Sequence, residues 1–126
     1  MAWKRYNANP DDKRVGDCTV RAISTAVGLS WECTYAGLAT MGFMLRDMPS
    51  ADHVWGQYLR WRGFRRAAIP CRDEPCTVDD FCREHPDGTY VLAIHGHVVC
   101  VVDGDYYDTW ESGEEHPVYY WTKEDD

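Results

Sequence analysis

Two hydrophobic patterns divide the chain. Up to His85, apolar positions recur every three or four residues; after Pro86 they come in short β-branched and aromatic runs. Cys18 to Val27, small and branched residues, predicts a first helix. Asp17 is its N-cap, Gly28 takes the left-handed position that closes it, and Leu29 packs back. Ser30 caps a second helix on which Trp31, Tyr35, Leu38 and Gly42 share a face. Ser50, after Pro49, caps a third, with Val54, Tyr58 and Trp61 on one face and Gly63 as the stop. Thr77 and Asp80 form a Thr-x-x-acid box that opens a short fourth helix ending near His85-Pro86.

The second half reads as strands. Pro86-Asp87-Gly88 is a turn, and Thr89 to His95 is rich in strand formers until Gly96 breaks the run. His97 to Val102 is a second strand, Asp103-Gly104 a hairpin signal, and Asp105 to Trp110 a third strand. Pro117 to Thr122, largely aromatic, supplies a fourth. Helices followed by strands predict an α+β fold, with N-terminal helices packed on a C-terminal antiparallel β-meander. The expected organisation is one domain over 1–126, with a polar arm over 1–16 and an acidic tail over 123–126.

Size supports that reading: 126 residues with 44% hydrophobic content bury a core without staples. Charge then narrows function. Thirteen Lys and Arg against 21 Asp and Glu give a net charge of −8. A sequence-reading nucleic-acid module needs a basic face, so none is expected. The one basic cluster, Arg60, Arg62, Arg65 and Arg66, reads as a solvated helix end. The apolar runs are strand length, so no membrane span is expected. The N-terminus lacks the apolar block of a signal peptide, which points to the cytoplasm and to reduced thiols at Cys18, Cys33, Cys71, Cys76, Cys82 and Cys100.

Cys18 stands at the first helical position, where unpaired N–H groups favour thiolate and can receive an oxyanion. A small buried thiol is the plain alternative. A nucleophile needs a base, and the base an orienting group. If Asp103-Gly104 forms a two-residue type I′ turn, Val102 faces Asp105, Val99 faces Asp108 and His97 faces Trp110. His97, Val99, Asp108 and Trp110 then share one side of the sheet, with Asp108 the diagonal neighbour of His97. A three-residue loop would put Asp108 on the other side. In the first register a carboxylate holds one imidazole nitrogen and leaves the other for the thiol, while Trp110 lies over that hydrogen bond. Tyr107 and Tyr120 read as core or surface aromatics.

A cysteine at a helix start, a distant His opening a strand, then Asp-x-Trp: in this order the chain resembles papain-like cysteine peptidases. The matching stretches are Gly16-Asp17-Cys18-Thr19-Val20-Arg21-Ala22, Gly96-His97-Val98-Val99 and Asp108-Thr109-Trp110-Glu111-Ser112. Over nearly its full length the chain is also similar to small phage- and prophage-encoded proteins to which no activity is assigned. The first resemblance implies a cofactor-free thiol hydrolase or transferase acting on a peptide, isopeptide or amide bond of a peptide or protein. Its nucleophile would be Cys18, its base His97, its orienter Asp108 and its shield Trp110. The family's Gln shortly before the cysteine is missing, since residues 11–15 hold no amide. The oxyanion hole is then left to the Cys18 backbone N–H, with Asn7 or Asn9 as the nearest side-chain amides.

Other readings compete. Cys71, Cys76, Cys82 and His85 form a Cys-x4-Cys-x5-Cys-x2-His run that suits structural zinc, although Cys82 beside Phe81 equally suits a core. His95 and His97 would share a face on an unbroken strand, but Gly96 bends it. His53, His85 and His116 read as surface residues without partners, and Cys33 and Cys100 as core. The 111–116 loop and Met41, Met44 and Met48 are candidate borders of a cleft. The aromatic content and acidic surface also suit an inactive binding module or an inhibitor of a host protein.

Overall fold

A computed structural model describes residues 2–70 and 72–123. The elements run β1 (Trp3–Arg5), α1 (Cys18–Val27), α2 (Trp31–Leu45), α3 (Asp52–Trp61), β2 (Phe64–Ala68), α4 (Val78–Glu84), β3 (Thr89–Ile94), β4 (His97–Val102), β5 (Asp105–Asp108) and β6 (Pro117–Lys123). Among the described residues the fold is mixed α+β, four helices on one six-stranded sheet of order β1-β5-β4-β3-β6-β2.

Strand alternation explains why helices cover both faces. Val91 and Ala93 of β3 and Val98 and Cys100 of β4 pack with Ile23, Leu38, Trp55 and Tyr58 from α1, α2 and α3. The alternate residues, Leu92, Ile94, Val99 and Val101, pack with Val78, Phe81 and Cys82 of α4 and with Tyr106. Central strands buried on both sides read as continuous apolar runs, as these two do.

Local chemistry sets the element ends. Gly28 at φ 73 closes α1, its N–H donating to the Ser24 carbonyl at 3.0 Å. Ser30 caps α2 by accepting from the Cys33 N–H at 3.1 Å. The Thr77 hydroxyl and Asp80 carboxylate cap α4 reciprocally. At the hairpin, Asp103 (φ 49) and Gly104 (φ 81) both take positive φ, the type I′ signature. The expected register follows, with Val102 opposite Asp105 and Cys100 opposite Tyr107.

Several expectations need correction. Only β3, β4 and β5 form a meander; β6 crosses to the far side of β3 instead of lining up beyond β5. The free edge of β5 is taken by β1, a parallel strand drawn from the supposed arm, with Trp3 opposite Tyr106. β5 itself ends at Asp108, short of Trp110. The basic cluster is exposed, as expected, but only Arg60 and Arg62 end α3; Arg65 and Arg66 lie on β2, an edge strand on β6. The cluster's guanidinium groups lie on rings: Arg60 is 5.1 Å from the Trp121 centroid, Arg62 5.1 Å from Trp61 and Arg66 3.9 Å from Tyr119. Ala51 rather than Ser50 caps α3, and Trp61 is exposed while Val54 and Tyr58 are buried. Cys33 is exposed and Tyr35 half outside, whereas Cys100 is fully buried. Most of the acidic tail, 124–126, lies outside the described residues.

Candidate functional site

The site forms where the start of α1 meets the first turn of β4 and the end of β5. Asp17 occupies the N-cap position, but its side chain makes no capping bond. The N–H groups of the first turn, including that of Cys18, are therefore left without a side-chain acceptor. Cys18 is half-buried above them.

His97 opens β4 directly after the His95-Gly96 turn, where Gly96 sits at φ 75. Its Nε2 lies 2.6 Å from Asp108 Oδ2, and both side chains are largely enclosed. The same Asp108 oxygen accepts from the Ser112 hydroxyl at 2.6 Å, and Oδ1 accepts from the Thr109 N–H at 2.8 Å. The Asp108 backbone carbonyl accepts from the Trp3 indole at 3.2 Å and the Tyr6 N–H at 3.0 Å. The N-terminal strand thus fixes the backbone that carries the carboxylate. Trp110 stands 5.1 Å, ring to ring, from His97 on the outer side.

Electrostatics pull the three groups in consistent directions. Burial of Cys18 opposes thiolate, and His97 works against it through a side-chain hydrogen bond and its charge. Together with the Val98 N–H and Arg21 it brings the thiol below 9.0. Burial likewise opposes imidazolium, yet hydrogen bonds to Asp108 and Cys18 carry His97 up to about 9. Burial of Asp108 is outweighed by His97 and Ser112, which hold its carboxyl below 3.8. The arrangement favours a thiolate–imidazolium pair backed by a carboxylate.

The other cysteines contrast with this. Burial pushes the thiol of Cys82 up to about 12 and that of Cys100 higher still; Cys76 is also raised. Cys76 and Cys82 belong to the core under α4. Cys71 lies outside the described residues. Among the described residues no three His, Cys, Asp or Glu side chains gather as a metal site. The histidines read as unpartnered do have partners. His85 stacks on Phe81 at 3.8 Å, His53 lies 2.7 Å from Asp47, and His116 Nδ1 lies 3.1 Å from the Cys76 carbonyl.

A cleft of about 370 Å³ opens onto Cys18 and His97, walled by Asp52, Trp55, His95 and Tyr119 among others. Neither the 111–116 loop nor Met41, Met44 or Met48 lines it. Asn9 is also elsewhere: its Nδ2 donates to Asp17 Oδ2 at 3.4 Å, and its Oδ1 accepts from the Asp11 N–H at 2.9 Å. Asn7 is tied to Asp12 and Lys13. Neither Asn7 nor Asn9 lines the cleft, and the first turn of α1 presents backbone N–H groups beside Cys18.

Sequence reasoning missed Arg21. Its Nε donates to Asp17 at 2.9 Å, while Nη1 reaches Thr109 Oγ1 at 3.0 Å and Asp108 Oδ1 at 3.5 Å. The acid-before-base i,i+4 spacing of Asp17 and Arg21 was the available signal. Ser112 had none, because it lies in a loop beyond β5. Compared with known proteins, the chain matches no family model, no curated protein and no solved structure.

Proposed function

We propose that this protein is a papain-like thiol hydrolase that cleaves a peptide, isopeptide or amide bond of a peptide or protein. The observation that carries this reading is an imidazole held by a carboxylate in the cleft that also contains a helix-start thiol. His97 Nε2 meets Asp108 at 2.6 Å, and His97 and Cys18, at the start of α1, line the same cleft.

The Cys18 thiolate adds to the carbonyl carbon, forming a C–S bond and moving charge onto oxygen. Backbone N–H groups of the first turn of α1 receive that charge. The C–N bond breaks as nitrogen takes the proton of His97. Water then gives a proton to His97 and attacks the thioester; the C–S bond breaks and the thiolate returns. Asp108 holds the ring in place throughout, and Trp110 limits water at the His97–Asp108 bond.

No helix among the described residues is long and apolar enough to cross a membrane. The described cysteines are unpaired. A reducing cytoplasm, of a bacterial host, is the setting in which such thiols persist. Thiol-directed activity profiling in host lysate, with wild type and Cys18→Ala, tests the reading. Labelling and turnover both vanish in Cys18→Ala if it holds, and full activity in that variant refutes it.

A second reading, an inactive module that docks on another protein, is favoured by the exposed side chains of Phe43, Met44, Met48 and Trp61. It predicts a Cys18 thiol no faster than the exposed Cys33.

A further inference from the structure

A second hollow, of about 290 Å³, lies between α1 and α2. Gly16, Thr19 and Ser50 line both it and the cleft that contains Cys18. The two hollows thus adjoin, separated only by these small residues. Resting on the reading of Cys18 as nucleophile, we propose that this hollow is a specificity pocket. It takes an aromatic or branched apolar side chain of the substrate, adjacent to the bond that is cut.

Its chemistry selects that class. The floor is Leu38 and Val20, and the walls are Val15, Pro49 and the stacked pair Trp31 and Tyr35, whose centroids are 5.1 Å apart. Val15 and Tyr35, both 52% exposed, form an apolar rim open to solvent. Among the described residues the one charged lining group, Asp17, is already satisfied. It accepts from Arg21 at 2.9 Å, from the Trp31 indole at 3.0 Å and from Asn9 at 3.4 Å. A cationic side chain would find no free carboxylate there, and an anionic one would meet Asp17.

The volume, roughly that of ten liquid waters, admits one aromatic ring. The pocket is also preformed. The Trp31 wall is fixed through Asp17 and Arg21 to Asp108, so little ordering is needed when it fills. Burying an apolar group there, beside the reacting carbonyl, favours substrates that carry one.

The test compares three peptidyl acyloxymethyl ketones. One has phenylalanine before the ketone, one has a benzyl group in the leaving acyl part, and the parent has glycine at both places. Iodoacetamide serves as a probe too small to use the pocket. Wild type should react with at least one aromatic probe on the order of 10- to 100-fold faster than with the parent. Tyr35→Ala should lose most of that preference, Tyr35→Phe should keep it, and both should react with iodoacetamide as wild type does. No preference in wild type, or preference undiminished in Tyr35→Ala, overturns the pocket while fast iodoacetamide labelling of Cys18 leaves the nucleophile standing. If iodoacetamide does not favour Cys18, the nucleophile falls and the pocket falls with it.

Discussion

Ser112 and His97 converge on one atom. The Ser112 hydroxyl and His97 Nε2 each lie 2.6 Å from Asp108 Oδ2, in a carboxylate that is only 3% exposed. Two donors on one oxygen, with Thr109 and Arg21 on the other, keep Asp108 ionised where burial alone would neutralise it.

This gives Ser112→Ala a defined outcome. Removing the hydroxyl leaves Asp108 short of a donor at a buried site and costs about 1–3 kcal/mol. A carboxyl held below 3.8 contributes stability that is present above pH 3.8 and lost as pH falls through its folded value. Without Ser112 that folded value rises, so acid unfolding followed by circular dichroism should begin at higher pH than in wild type.

His97 should titrate far above an ordinary histidine. Its imidazolium is carried from 6.5 to about 9 against the penalty of burial. The raised value contributes stability fully present below pH 6.5 and lost as pH rises through about 9. Asp108→Asn removes the main anionic partner, so the NMR titration midpoint of His97 should fall toward 6.5. A midpoint that stays near 9 in Asp108→Asn would mean that the carboxylate does not set it. Turnover of an identified substrate should decline on the alkaline side near 9, where imidazolium, the leaving-group acid, is lost.

Arg21 joins two enclosed carboxylates, Asp17 at 2.9 Å and Asp108 at 3.5 Å. Arg21→Met leaves both without it and should cost about 3–5 kcal/mol in urea unfolding. Arg21→Lys should recover only part of that, because an ammonium cannot span Asp17, Thr109 and Asp108 as the guanidinium does.

What was legible in the sequence was local. The start of α1 at Cys18, the box at Thr77 and Asp80, and the type I′ turn at Asp103-Gly104 all follow from chemistry within a few residues. The turn alone fixed the hairpin register that puts His97 within reach of Asp108, which is why a remote pair could be read from spacing. What was missed depends on distant partners. Trp3–Arg5 and Phe64–Ala68 carry charged residues and become strands only because β5 and β6 offer open edges. Asp17 looked like a helix cap, yet Arg21 and Trp31 take its carboxylate. Asn9 looked free to serve the oxyanion but is held at Asp17.

The central claim is that His97 makes Cys18 a thiolate. The most direct measurement is the pH dependence of iodoacetamide alkylation at Cys18, followed peptide by peptide by mass spectrometry in wild type and His97→Ala. In wild type the reaction should reach half its maximum below pH 9.0, and Cys18 should be labelled before the exposed Cys33. In His97→Ala the midpoint should move upward, because burial then acts on the thiol without the imidazole to offset it. Identical midpoints in the two proteins, or a wild-type Cys18 that reacts no faster than Cys33, would contradict the account.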